Sequence, residues 1–466
     1  MLWTIVLGLW GLSRQDSVWR DEAATWQVAQ RSAAEIWHML ANVDVVHGLY
    51  YLLMHVLFEC FGPSTLTLRL PSVLATAVAA SCVAVIGRRL ADAWAGLAGG
   101  MVLGLLPAVQ FYLQEGRSYA LVAAGAGTST LLLVTILQGR VRIRHWVAYS
   151  IAVFLTGLLN WLSLIVLAAH LATLLWARAE RGVLARWASA AGCAIVGVLP
   201  LIVFSRGQSA QLSWIPPLSW HMLIGPGVLL AIAGACALLD RPQAGRLSAT
   251  TVGLPLLAVP QLGLMGLSLI QPIFLDRYIL YSMLGLALLI GTAVGAVVRR
   301  CKPRFPTASR WTLPVALAVA MLALLPQSLA KRSPASRVDD VLAVTSDIRH
   351  LKQSGDAVVF VPSARRDTKS VTPDAFTGLR DIALAETPEE SGTLKGVETD
   401  PDHIRAAILA EQRVLLVTDA SRVARPVTAA RDRTKTAVLH RYFTAVADEQ
   451  TRGRRVTVYE RRSTAR

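Results

Sequence analysis

Residues 1–26 read MLWTIVLGLWGLSRQDSVWRDEAATW. An almost purely apolar run gives way within a few residues to Arg20, Asp21 and Glu22, adjacent charges placed where the chain would leave a membrane. A spanning helix needs ~20 apolar residues, so this first run is short for a crossing. The N-terminus has neither a basic n-region nor a small-residue cleavage site, and the run is read as a membrane segment rather than a signal peptide.

The rest of the chain has the same character. Of 466 residues, 54% are hydrophobic and 16% charged, with mean hydropathy +0.49. Soluble domains carry about a quarter charged residues, so the composition is that of a membrane protein. The net charge of +16 sits largely in Arg-rich loops between apolar runs. That is the positive-inside pattern, and no nucleic-acid partner is expected. Five cysteines, Cys60, Cys82, Cys193, Cys236 and Cys301, lie in or beside apolar runs with no disulfide or zinc spacing.

Eleven apolar runs are expected to span: 1–13, 67–87, 92–113, 118–138, 145–159, 161–177, 187–204, 221–239, 250–270, 278–298 and 311–330. Arg88–Arg89, Arg140/Arg142/Arg144, Arg178/Arg181/Arg186, Arg241/Arg246 and Arg299/Arg300/Lys302/Arg304/Arg310 separate alternate pairs of spans. These five clusters therefore share one face, which positive-inside makes cytoplasmic. The alternation closes only if HGLYYLLMHVLFECFG (47–62) lies in the outer interface as an amphipathic helix. Loops 14–66, 114–119, 205–220 and 271–278 are then external, as is everything after the last span.

From about 331 the pattern changes. AVVFVPS (357–363), RVLLVTD (413–419) and RVTVYER (455–461) read as strands. Helix-like stretches near 336–354, 401–412 and 425–449 alternate with them. The expected organisation is an all-α polytopic domain over 1–330, with 14–66 as its first external loop, and a small extracytoplasmic α/β domain over 331–466.

Three charged motifs fall at membrane boundaries on the external side: RDE (20–22), QEGRSY (114–119) and DRY (276–278). Ionisable residues at such depth are costly and tend to mark functional sites. Asp21 suits a general base, and Arg117 and Arg277 suit a phosphate, to which guanidinium offers a planar donor fork. Each motif alone also reads blandly: a cluster that stops a span, a structural Glu115–Arg117 pair, an interfacial Arg277–Tyr278 anchor. His38, His47 and His55 lack zinc-pair spacing, and no P-loop, GxGxxG or Ser/His/Asp pattern is present.

These residues, in this order, resemble the GT-C class of integral-membrane glycosyltransferases, in particular the branch holding protein O-mannosyltransferases and aminoarabinose transferases. The resemblance rests on WRDEAATW (19–26), DVVHGLYYLLMHVLFECFG (44–62), RLPSVLATAVAA (69–80), GRRLADAWAGLAGGMVLGLLPAVQFYLQEGRSYAL (87–121) and FLDRYILYSMLGLALLIG (274–291). Where that family carries Pro-Pro, this chain has Gly48–Leu49. The resemblance implies a polyprenyl-phosphate sugar donor, a protein, glycan or lipid acceptor, an extracytoplasmic active site and inversion at the anomeric carbon. It implies Asp21 as base with Glu22 as its partner. For donor or substrate binding it points to Asp44, His47, Glu115, Arg117, Tyr119, Arg277 and Tyr278. Mannose is the favoured sugar. Some relatives use a divalent metal and others do not, and no metal site is legible. A secondary transporter or lipid-linked-sugar flippase is the alternative, expected to show inverted repeats and midplane polar residues. A polytopic scaffold with a decayed site is a third reading, against which the joint retention of Asp21, Glu115, Arg117 and Arg277 speaks.

Overall fold

A computed structural model of the chain describes residues 1–139, 142–208, 214–240, 247–304 and 306–462. Arg140, Arg241 and Arg246 of the basic clusters, and 209–213 of the third external stretch, lie outside the described residues. The chain forms two units. The first comprises Met1–Trp10, Val45–Tyr50 and Arg69–Leu329; the second comprises Gly11–Asp44, Tyr51–Leu68 and Ala330–Arg466.

The first unit is helical. Among the described residues, seven helices of the chain are long and apolar enough to cross a membrane: Thr65–Leu90, Tyr119–Leu137, Arg181–Arg206, Trp220–Leu239, Ala249–Ser268, Asp276–Cys301 and Arg310–Lys331. The other four expected spans coincide with shorter helices, and their breaks have local causes. In the run 92–113, Pro107 pushes Leu106 into an extended conformation (φ −59°, ψ 129°). The run thereby divides into Ala93–Leu105 and Pro107–Tyr112. At Asn160 the backbone is again extended, and its side chain accepts from the Leu162 amide at 3.1 Å, capping the turn Trp161–Leu164. Ile143–Leu159 and Ile165–Trp176 flank it. The first helix is only Leu2–Leu9.

Packing within this unit depends on small residues. A Cβ placed on Gly291 would lie 2.5 Å from both the Ala95 carbonyl oxygen and the Gly99 nitrogen. Helices Ala93–Leu105 and Met283–Cys301 thus meet backbone to backbone, as membrane helices do where neither side carries bulk.

The second unit contains a five-stranded sheet: β1 (Ala357–Val361), β2 (Arg380–Asp381), β5 (Arg413–Asp419), β6 (Phe443–Thr451) and β7 (Arg454–Arg461), in the order β2-β1-β5-β7-β6. The first three are parallel; β7 and β6 add antiparallel. A small hairpin, β3 (Leu384–Glu386) with β4 (Val397–Glu398), stands apart. Successive side chains of β1 and β5 feed opposite faces, and both faces are covered. Val359, Val361, Val414 and Leu416 pack with Ile404 and Leu439 from the helices Pro401–Ala410 and Ala430–Tyr442. Val358, Phe360, Leu415 and Val417 pack with Ile348 and Phe376 on the other side. One expected helix is corrected: within 425–449 the helix ends at Tyr442 and the chain turns into β6. Arg452 and Gly453, at φ 44° and 87°, close the β6–β7 hairpin with the left-handed turn such connections favour.

Candidate active site

In the first unit, Arg277 and Tyr278 follow Asp276, which turns the chain into Asp276–Cys301. Asp276 Oδ1 accepts from the Arg277 amide at 2.8 Å and from the Tyr112 hydroxyl at 3.1 Å, so the turn is tied to a neighbouring helix. The Arg277 guanidinium carbon lies 5.8 Å from the Tyr119 ring centroid, 5.3 Å from that of Trp214 and 5.7 Å from that of Tyr278. Three rings hold the cation by their π faces and fix its direction.

Arg117 is buried. Its Nη2 lies 3.4 Å from His47 Nε2. Burial first, then the charges of Arg117 and Arg277, hold the His47 imidazole well below its ordinary range, so the ring is neutral at physiological pH. Glu115 is buried too, and the Ser72 hydroxyl donates to the Glu115 carbonyl oxygen at 2.5 Å and to that of Arg117 at 3.3 Å. The QEGRSY turn is thereby fastened to the RLPS segment before Tyr119 begins its helix. His47 and Tyr278 line a cavity of about 300 Å³ together with Asn160, Trp161, Arg206 and Gln208. Gln208 also accepts from the Val45 amide at 3.0 Å, anchoring the segment that carries His47. The structure therefore brings His47, Arg117, Tyr119, Arg277 and Tyr278 together. It adds Trp214, Arg206 and Gln208, which the sequence offers only as residues of the external loop 205–220, and Ser72, which the sequence places within the span 67–87.

Asp21, Glu22 and Asp44 belong to the second unit. Asp21 sits partly exposed in the first turn of the helix Arg20–Ala29. Glu22 is fully buried beside it, its Oε1 accepting from Arg14 Nη2 at 2.6 Å, and Arg14 is buried as completely. Arg14, Gln15 and Asp16 are all left-handed, at φ 49°, 56° and 58°. Three consecutive non-glycine residues in that region cost energy and persist only where surrounding contacts over-determine them, as the buried pair does here. Asp44 is likewise left-handed at φ 56°, and its carboxylate accepts from the Tyr51 hydroxyl at 2.8 Å. Among the described residues there is no cluster of three or more His, Cys, Asp or Glu side chains placed to hold a metal ion.

Solved structures place this architecture. The fold is shared with solved structures at low sequence identity. It is similar to the crystal structure of ArnT from Cupriavidus metallidurans bound to undecaprenyl phosphate, with 14% identity, TM-score 0.59, and 98% of this chain and 96% of that one covered. The apo state of the same protein matches with TM-score 0.60 at 15% identity, covering 94% of this chain and 93% of that one. The archaeal oligosaccharyltransferase AglB from Archaeoglobus fulgidus, in complex with an inhibitory peptide and a dolichol-phosphate, is similar over 90% of this chain and 69% of that one, at 11% identity and TM-score 0.52. No family model and no curated protein sequence matches this chain.

Proposed function

We propose that this chain is a polyprenyl-phosphate-dependent glycosyltransferase, moving a sugar, with mannose favoured, onto an extracytoplasmic acceptor. The carrying observation is the cation site of Arg117, Arg277 and neutral His47 beside a cavity, in a fold whose solved examples hold undecaprenyl phosphate or dolichol-phosphate. All eleven apolar runs cross in this reading, and residues 331–466 are an extracytoplasmic domain following the transmembrane one. A cysteine replacing Pro217 labels from outside intact cells, one replacing Glu180 does not, and the reverse pattern would refute the orientation.

The chemistry needs no nucleotide, because the donor already carries the activated bond. The acceptor hydroxyl oxygen attacks the anomeric carbon from the face opposite the phosphate. The bond between that carbon and the phosphate oxygen breaks, its electron pair leaving with the polyprenyl phosphate, while the hydroxyl proton passes to Asp21. The product is inverted. Arg277 and Arg117 stabilise the phosphate as its negative charge grows, and the aromatic cage keeps Arg277 aimed without reorganisation during the step. Neutral His47 accepts from Arg117 and orients it. Glu115, Tyr119 and Tyr278 belong to the two turns that carry Arg117 and Arg277, and Asp44, whose carboxylate accepts from the Tyr51 hydroxyl, directly precedes the segment that carries His47. Glu22 serves Asp21 by locking its helix through Arg14.

The test is transfer from radiolabelled polyprenyl-phosphate sugars to cell-envelope acceptors by membranes holding the wild-type chain or Asp21→Asn. Label transfer by the wild type, lost in the variant, is expected. A wild type that releases polyprenyl phosphate from no donor would refute the proposal.

A further inference from the structure

We propose that Asp339 is a positioning residue for Asp21, acting through Arg20, and that the carboxyl edge of the C-terminal sheet exists to hold the helix that bears the base. The inference rests on the reading of Asp21 as that base.

Open α/β sheets bind their ligands outside the carboxyl ends of their parallel strands. In the second unit, β1 ends at Val361 and β5 at Asp419, with Val361 opposite Thr418 in the ladder. The groups at that edge are charged and buried: Arg365, Asp367, Asp419, Arg454 and Asp339. Arg365 Nε lies 2.6 Å from Asp419, and Arg454 Nη2 lies 2.8 Å from Asp367 and 2.9 Å from Asp339. Without a further cation the cluster holds three carboxylates against two guanidiniums. The third cation is Arg20, whose guanidinium lies 3.0 Å from Asp339 and 3.6 Å from Asp419. The place a ligand would take is filled by the chain itself.

The backbone is held at the same point. Val341 N donates to Val18 O at 2.6 Å, and Val18 N donates to Asp340 Oδ1 at 3.2 Å, linking residues 322 apart in sequence. Helix Arg20–Ala29 has Trp19 at its N-cap, which supplies no side-chain acceptor. Asp339 supplies one instead: its Oδ1 accepts from the Arg20 amide at 3.2 Å, satisfying an otherwise orphaned donor of the first turn. A carboxylate there is also favoured by the helix dipole. Val18 and Ala23 pack with Val341 and Val371 beneath. Asp21 thus follows directly on a residue clamped through both backbone and side chain, and precedes Glu22, clamped by Arg14. A base must reach its proton within hydrogen-bond distance, and a displacement of ~1 Å costs on the order of 10²-fold.

The test compares Asp339→Ala, Arg20→Gln, their double variant and Asp21→Asn, each purified in detergent as the full chain and assayed with the donor the wild type accepts. Hydrogen exchange of peptide 17–24 is followed in parallel. Expected for Asp339→Ala is a fall in kcat of at least about tenfold with donor KM within about twofold, and faster exchange of 17–24 with β5 unchanged. Arg20→Gln, whose side chain is 27% exposed and whose loss leaves the Arg454 pairs intact, should lower kcat less and carries the test if Asp339→Ala does not fold. The double variant should be no worse than Asp339→Ala, since both act through one contact. Unchanged kcat in a chain whose 17–24 segment is released, or a fall in kcat matched by a rise in KM, would overturn the positioning role while leaving Asp21 untouched. Full activity in Asp21→Asn would instead remove the base reading.

Discussion

The two units bury charge for different ends. In the first, the buried charged side chains among the described residues are Arg69, Glu115 and Arg117, and the QEGRSY pair lies in the turn fastened by Ser72. The second buries many and neutralises them. Arg366 pairs with Asp381 at 2.6 Å and Glu398 at 2.8 Å, and Lys435 pairs with Glu398 at 2.7 Å and Asp432 at 2.9 Å. Burial of a charge therefore carries information about function only against an apolar background. In a unit laced with ion pairs it reports packing first, and Asp21, the proposed base, is only partly buried.

The strongest way to break this contrast is at Asp21. Asp21→Asn should lower kcat by about 10²–10⁴-fold, read as single-turnover sugar transfer. Next, Arg454→Met leaves Asp339 and Asp367 without their shared cation and should destabilise the second unit by about 3–5 kcal/mol, read by denaturant unfolding. An unchanged midpoint would mean that these buried charges are not structural. Gly291→Ala tests the other unit: overpacking against Ala95 and Gly99 should cost about 1–3 kcal/mol in thermal unfolding. The smallest effect is at Asp340, whose carboxyl is raised by burial despite hydrogen bonds from Val18, Arg452 and Leu342. Its folded form binds a proton more tightly than the unfolded chain does. Its contribution to stability therefore grows as pH falls through the raised folded value and is lost as pH rises back through it. Asp340→Asn keeps an amide-oxygen acceptor, so stability at pH 7 should change by no more than about 1 kcal/mol, and that acid-side gain should disappear from the pH profile of the unfolding midpoint.

Much of this architecture was legible in the sequence because its signals are local. Strands 357–361 and 413–419 announce themselves as β-branched runs, and Arg117 and Arg277 as charges at the ends of apolar helices. Strand β6 was not, because FTAVADEQT is polar and mostly exposed, an edge strand that only its partner β7 makes regular. The 92–113 run conceals its break at Pro107 until the extended Leu106 is seen. Trp214 reads only as a residue of the external loop 205–220, and the fold shows its face turned to Arg277. The pairing of Val18 with Asp340 and Val341 has no local signature, since what specifies it is complementarity between distant segments.

The central claim is that Arg277 holds the donor phosphate and that Asp21 acts on the acceptor hydroxyl, not on the donor. The most direct test is the affinity of detergent-purified wild type, Arg277→Gln and Asp21→Asn for undecaprenyl phosphate, measured by equilibrium binding. The account predicts that Asp21→Asn binds like the wild type and that Arg277→Gln loses at least about tenfold, as expected for a charge-assisted contact. Loss of binding in Asp21→Asn with full binding in Arg277→Gln would contradict it.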